Sequence, residues 1–233
     1  MNDTLENLLQ NPRVWRGSQR LGNPAAAFTA CSTGYARLDD HLPGGGWPRH
    51  ALTEILLEHY GTGELKLLMP ALARLSNADD NIGNGGNVND HCADPAFEEA
   101  GWIAWIAPPF QPYPPALLQW GINLQHMLMV HPRRDVEALW AAEQALSSGN
   151  CAAVLVWSDK LDNRASRRLQ LAAEKGQSLC FAFRPLEAAA LSSAAALRLA
   201  LHAGESGTDV RILKSRGGRP VTVSGVIHHD YAV

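Results

Sequence analysis

A short glycine turn is the segment of this chain best placed to bind phosphate. The turn Gly61-Thr62-Gly63 follows an apolar strand and precedes Glu64-Leu65 and an apolar-periodic helix. In a nucleotide-binding loop of this frame, a lysine reaches the β and γ phosphates and a Ser or Thr hydroxyl holds Mg²⁺. A glutamate would repel a triphosphate, and a leucine cannot ligate a metal. Gly61, Thr62, Gly63 and Glu64 therefore predict a degenerate nucleotide loop, although such a turn is also typical of a plain tight connection.

A proline-rich segment, 108–115, carries two aromatic side chains, Phe110 and Tyr113, directly after an apolar strand. Ligands of open α/β sheets bind at the carboxyl ends of the strands, so these rings could stack on a base or dock a partner. The prolines could equally serve only to start the next helix, because proline fits the first helical turn. We interpret Phe110 and Tyr113 as candidate partner-binding residues.

The tryptophans fall into two groups, those in predicted strands or helices and those in irregular segments. Trp102, Trp105 and Trp157 in strands and Trp140 in a helix are expected in the core. Trp15, with the adjacent Arg16, and Trp47 lie in irregular segments and are the better candidates for partner contact.

Positive charge is concentrated near the C-terminus. Arg211, Lys214, Arg216 and Arg219 occur within nine residues that include no acid and that surround a Gly-Gly turn. Strand and turn could present these side chains to phosphates or to an acidic partner. The formal net charge of the chain is −3, which argues against long-range attraction to nucleic acid. Any DNA contact is therefore expected to be weak and local.

Alternating strand and helix patterns predict the elements that position these residues. Strands are expected at 51–57, 101–107, 126–130, 151–157 and 178–183, with helices at 65–75, 114–121, 135–147 and 163–175. Strands separated by such helices favour a mainly parallel sheet. Residues 194–227 are predicted to form consecutive strands that close the sheet as an antiparallel meander or hairpin. We predict an N-terminal arm and lead-in over 1–50, one α/β core over 51–233, and a mobile surface loop over 77–100.

The length, composition and cysteine spacing of the chain argue against membrane, secreted and metal-binding proteins. A chain of 233 residues with 46% hydrophobic residues can bury one sizeable domain. No apolar run is long enough to cross a bilayer, and the N-terminus lacks a secretory pattern, so a cytoplasmic location without membrane contact is expected. The four cysteines form no C-x-x-C pair, and the adjacent histidines in the tail suit no metal. We expect neither a metal nor a cofactor.

The segment before the glycine turn resembles the lead-in of RecA-family recombinases. It contains Ser32-Thr33-Gly34, then Leu38-Asp39, then the glycine-rich turn Gly44-Gly45-Gly46, in the same order and spacing. Residues 209–220 resemble the closing hairpin of the RecA core, with its basic strand. The resemblance implies a RecA-like core with a mainly parallel twisted sheet flanked by helices and a C-terminal antiparallel hairpin.

The same resemblance locates two further catalytic positions of an ATPase. Trp157 stands where the metal-organising aspartate would be, with Asp159 displaced by two residues, and Pro108-Pro109 stand where a catalytic glutamate would be. Because these residues cannot perform the chemistry, we expect no enzymatic activity.

Two narrower families share this pattern, the SulA division inhibitors and the longer ImuA proteins of SOS mutagenesis. Both resemble this chain at residues 67–72, 106–108, 136–146, 148–150 and 181–185. SulA is similar only to about 53–185. ImuA also has the Ser-Thr-Gly lead-in, the tail Arg216-Gly217-Gly218-Arg219-Pro220 and an N-terminal Val14-Trp15-Arg16-Gly17. The chain is therefore identified as a member of the ImuA family.

This identification implies a non-catalytic accessory protein of error-prone translesion synthesis in the SOS response. Its implied partners are RecA, an ImuB-like Y-family polymerase homologue and an error-prone replicative-type polymerase. The alternative is a SulA-like inhibitor that binds FtsZ and blocks its polymerisation. The lead-in and the basic tail favour the first interpretation, because a pure division inhibitor requires neither.

Overall fold

The computed structural model describes residues 30–77 and 101–228. Its strands are β1 Ala30–Cys31, β2 Trp47–Pro48, β3 Leu52–Leu57, β4 Trp102–Ile106, β5 Met127–Val130, β6 Cys151–Trp157, β7 Leu179–Pro185, β8 Leu197–Gly204, β9 Gly207–Ser215 and β10 Val221–Ile227. Its α-helices are α1 Ala36–Asp39, α2 Glu64–Ser76, α3 Pro114–Gln119, α4 Asp135–Ser147 and α5 Asn163–Gly176, with short 3₁₀ helices at Leu124–His126 and Leu186–Ala190.

An eight-stranded sheet organises the fold, in the order β10-β9-β8-β3-β7-β6-β4-β5. The strands from β8 to β5 in this order pair in parallel, whereas β8, β9 and β10 pair antiparallel. The prediction of a mixed α/β fold with a mainly parallel sheet and a C-terminal antiparallel hairpin is confirmed.

The central strands are buried along their whole length because both faces of the sheet are covered. All six residues of β3 and all seven of β6 are buried, as expected where helices pack on both sides of a parallel sheet. On one face, α2 packs its leucines against Ile55, Trp105 and Phe181. On the other, α4 and α5 cover the alternate side chains of β4, β6 and β7. The carboxyl ends of β3, β4, β6 and β7 therefore lie along one edge of a rigid core.

A proline inside α2 explains why the lead-in packs where it does. Pro70 has no N–H to donate to the carbonyl of Lys66 four residues earlier. The hydroxyl of Tyr35 donates to that carbonyl instead, at 2.9 Å. Gly34 lies against the same proline, since a Cβ at this position would come within 2.4 Å of the Pro70 Cβ. The Ser-Thr-Gly-Tyr segment is thus fitted to this helix.

A buried ion network joins β3, β7 and β8. Glu54, which is 0% exposed, accepts hydrogen bonds from Arg184 at 3.0 Å, from Arg198 at 2.8 Å and from the Ser193 hydroxyl at 2.6 Å. Both guanidinium groups also donate to backbone carbonyls, that of Arg184 to Leu161. The two guanidinium groups thus share one carboxylate and are further hydrogen-bonded to carbonyls, as buried charges require, except that Arg184 Nε has no hydrogen-bond partner among the described residues.

No helix in the described part of the chain is long and apolar enough to cross a membrane. The predicted loop over 77–100 lies outside the described residues except for Asn77. That residue directly follows α2 as its C-cap, and its side-chain amide donates to the Gly121 carbonyl.

Candidate functional site

The carboxyl ends of β3 and β4 bring the glycine turn and the proline-rich segment together. The rings of Tyr60 and Phe110 meet edge to face, with centroids 6.4 Å apart and an interplanar angle of 86°. Phe110 is 71% exposed, Tyr113 is 70% exposed and Tyr60 is 39% exposed. We call these three residues the aromatic rim. The structure thus brings Phe110 beside the predicted nucleotide loop, and Tyr113 lies three residues farther along the same proline-rich segment.

The backbone that enters the aromatic rim is strained. Ala107, directly after β4, has a φ of 55° in the left-handed region, which alanine adopts at a cost. Its N–H donates to the Val130 carbonyl at 2.9 Å, so the conformation is fixed from the neighbouring strand. Pro114 then starts α3, with Tyr113 as the residue that precedes the helix. The loop that carries Phe110 and Tyr113 is therefore anchored at both ends.

The predicted nucleotide loop is filled by its own side chain. Glu64 is the first residue of α2, is 5% exposed, and accepts the N–H of Gly61 with both carboxylate oxygens at 3.0 Å. A carboxylate at a helix N-terminus occupies the place where such loops bind phosphate. The Thr62 hydroxyl donates to the His59 carbonyl at 2.7 Å rather than pointing to a metal.

The loop is also tied to the C-terminal hairpin. The Thr208 hydroxyl donates to the Thr62 carbonyl at 2.7 Å. Gly63 has a φ of 104°, and a Cβ there would come within 2.9 Å of the Thr208 hydroxyl oxygen. Glycine is required at this position both for its conformation and for the close approach.

An aromatic stack lies at the position that the RecA-like resemblance assigns to a metal-organising aspartate. Trp157, at the end of β6, stacks on Phe183 with centroids 4.5 Å apart and an interplanar angle of 17°. On its other side it meets Trp105 at 5.6 Å. Asp159 lies beyond the strand and is exposed. Burial raises the pKa of Tyr60, and the negative charges of Asp159 and Glu64 raise it further.

Three tryptophans are not where the sequence predicted them. Trp102 and Trp140 were expected in the core but are 43% and 61% exposed, whereas Trp47 was a contact candidate and is fully buried. Trp102 precedes the first β4 residue that pairs with β5, and β5 is the last strand of the sheet. Trp140 lies on the side of α4 opposite the buried Ala138 and Ala142.

Trp47 is buried because β2 places it against the core, where its ring meets the edge of Phe181 at 5.3 Å. Its neighbours along the chain are glycine, proline and charged residues, which gave no sign of burial. The other predicted contact residues of the N-terminal arm, Trp15 and Arg16, lie outside the described residues.

The four basic residues near the C-terminus do not form one uniform patch. Arg211 pairs with Ala200 and Lys214 with Arg198, and an irregularity between these pairs puts both cations on one sheet face. Lys214 donates to the Ser193 carbonyl at 2.9 Å, and partial burial, followed by the charges of Arg198 and Arg216, lowers its pKa. The other two, Arg216 and Arg219, lie at the turn between β9 and β10.

Within the described ranges, no group of three or more His, Cys, Asp or Glu side chains is arranged to hold a metal ion. Two cysteines, Cys151 and Cys180, are free thiols, and burial raises the pKa of both. Neither of these two thiols is part of the aromatic rim.

Residues 97–180 match the family model described as cell division inhibitor SulA. This range contains β4 to α5 and therefore Phe110 and Tyr113. The cell division inhibitor SulA of Photorhabdus laumondii subsp. laumondii is 33% identical over 100 residues, which are 43% of this chain and 56% of that protein. The SulA of Edwardsiella piscicida is 32% identical over 90 residues, 39% of this chain and 54% of that protein.

This chain thus spans about half the length of these two relatives. The crystal structure of SulA from Pseudomonas aeruginosa aligns with 57% of this chain and 97% of its own, with 25% identity and a TM-score of 0.42.

The prediction of an ImuA-type accessory protein of translesion synthesis was wrong. The matching family model and the relatives above are SulA division inhibitors, and nothing in the comparisons supports RecA, an ImuB-like homologue or an error-prone polymerase as partners. The error arose because the lead-in at Ser32-Thr33-Gly34 and the basic tail at 216–220 were given the most weight. Both lie outside the matching range. Residues 97–180 of this chain are therefore similar to the SulA cell division inhibitors.

Proposed function

We propose that this chain is a SulA-type inhibitor of cell division that binds FtsZ and blocks its polymerisation during the SOS response. The observation that carries the proposal is the position of the most exposed aromatic residues of the described chain. Phe110 and Tyr113 lie within the range that matches the SulA model and project from an anchored loop. The proposal places the chain in the cytoplasm.

The chemistry of the aromatic rim suits a protein partner. Exposed aromatic side chains have a large apolar area and few rotatable bonds, and they are enriched among the residues that dominate binding energy at interfaces. The strained turn at Ala107 and the prolines reduce the conformational freedom that the loop must lose on binding. The rim is thus prepared for contact before a partner arrives.

The proposal includes no catalytic activity. Glu64 occupies the glycine turn, and Trp157 is stacked between Phe183 and Trp105. A protein of this kind acts through occupancy of a partner surface. We further propose that the core descends from a RecA-like ATPase, which the mainly parallel sheet and the lead-in support.

A sedimentation assay of GTP-dependent FtsZ assembly tests the proposal. FtsZ is polymerised alone and with increasing amounts of this protein, and the pelleted fraction is measured. We expect the pelleted fraction to fall as the two proteins approach equal concentrations. Unchanged FtsZ assembly at a severalfold excess of folded protein would contradict the proposal.

A further inference from the structure

A cavity of about 300 Å³ lies at the end of the sheet opposite the aromatic rim. Its floor includes Ala51, Ala196 and Leu197, which precede or begin β3 and β8, whereas the aromatic rim follows the carboxyl ends of β3 and β4. Because β3 has six residues at about 3.3 Å each, the two places are about 20 Å apart. The cavity is therefore separate from the proposed FtsZ surface.

The cavity lining combines apolar with basic side chains. Leu42, Pro43 and Pro48 of the lead-in are apolar, and Arg49, His50 and Arg216 add cationic or polar side chains. His50 has a φ of 54° in the left-handed region. Backbone strain of this kind is frequent at ligand sites.

The polar groups of the wall are held in place. The Gln170 side chain accepts the Leu52 N–H at 2.9 Å and donates to the Glu174 carboxylate at 2.8 Å. The Arg216 N–H donates to the Ala196 carbonyl at 2.9 Å, which fixes the backbone from which its exposed side chain extends. Glu174 thus has an internal partner, whereas the Arg216 guanidinium has no hydrogen bond or ion pair with any described residue.

We propose that this cavity binds a carboxylate attached to a small apolar body. Arg216 would bind the carboxylate, because a guanidinium donates two parallel hydrogen bonds to a carboxylate. The leucine and proline wall would bury the apolar part. A cavity of this size is at the lower end of the range for small-molecule sites, with room for about ten water-sized groups. Either a small organic acid or the C-terminus of a peptide presents this chemistry.

The test uses two matched pairs of probes. One pair is 3-phenylpropionate and its neutral amide, and the other is acetyl-Gly-Leu with a free or an amidated C-terminus. Binding to the full chain is measured by titration calorimetry and by NMR shifts at the Ala196 and Leu197 amides. We expect the free acid of at least one pair to bind at least about tenfold more tightly than its amide. The pair that binds more tightly identifies the source of the carboxylate.

Arg216→Ala tests whether Arg216 is the cation that binds the carboxylate, and Arg219→Ala is the control. Arg219 follows the same turn and does not line the cavity. We expect Arg216→Ala to reduce the affinity of the acid to that of the amide, and Arg219→Ala to change it by less than about twofold. Three results would overturn the proposal: no acid binding at millimolar concentration, equal affinity for acid and amide in the wild type, or equal losses in the two variants. The comparison of acid with amide remains valid if a variant fails to fold.

Discussion

Both carboxylate oxygens of Glu64 accept the same backbone N–H, that of Gly61, at 3.0 Å. The interaction places a negatively charged side chain of the protein itself in the glycine turn. A phosphate would have to displace a buried, hydrogen-bonded carboxylate and then tolerate its charge nearby. The N-terminus of α2, where a phosphate would otherwise bind, thus already contains a carboxylate.

We predict that the protein neither hydrolyses ATP nor binds Mg·ATP at micromolar concentration. Equilibrium dialysis and a phosphate-release assay measure the two properties. The double change Glu64→Lys with Leu65→Thr should not by itself create an ATPase, because Trp157 and Pro109 would still leave metal and water unpositioned. ATP turnover in the wild-type protein that Glu64→Ala abolishes would contradict this prediction.

A second prediction concerns the hydrogen bond from Tyr35 to the Lys66 carbonyl. Tyr35→Phe should lower the free energy of unfolding by about 1–3 kcal/mol, because it leaves a carbonyl in α2 without a partner. With Pro70→Ala in the same chain, residue 70 regains an N–H for that carbonyl, and the cost of Tyr35→Phe should shrink to less than about half. Urea denaturation of the four proteins in this cycle gives the values. An equal cost in both backgrounds would show that Pro70 is not the reason for the contact.

A third prediction concerns the buried network around Glu54. Glu54→Ala leaves two buried guanidinium groups without their carboxylate and should lower the free energy of unfolding by about 3–5 kcal/mol. Glu143→Ala removes the exposed ion pair with Arg168 and should cost less than about 1 kcal/mol. The two variants are compared by the midpoint of urea denaturation. Similar midpoints would mean that the buried network contributes no more to stability than a surface pair.

The sequence predicted the elements better than the site. β3 and β6 were predicted because helices on both sides of a parallel sheet make its strands mainly apolar. The glycine turn was predicted as degenerate from Glu64 and Leu65, which stand where a lysine and a hydroxyl would be needed. Its closure by Gly61 could not be predicted, because it depends on a side-chain rotamer and on loop geometry.

The exposure of individual aromatic residues was the hardest property to predict. Trp102 and Trp140 have apolar neighbours in sequence, yet one lies near the open edge of the sheet and the other on the outer side of α4. Their exposure depends on which strand ends the sheet, and local sequence does not contain that information. The function was wrongly predicted for a related reason: motifs at the two ends of the chain outweighed the segment at 97–180.

The most direct test of the central claim is the affinity of FtsZ for a variant with Phe110→Ala and Tyr113→Ala. Leu191→Ala is the control, since Leu191 is exposed and apolar but lies outside the range that matches SulA. Immobilised protein captures FtsZ at a series of concentrations, and circular dichroism verifies that each variant is folded. If the aromatic rim binds FtsZ, the double variant should lose at least about thirtyfold in affinity, as for two residues that dominate an interface, and the control should lose less than about twofold. Unchanged capture of FtsZ by a normally folded double variant would contradict the claim.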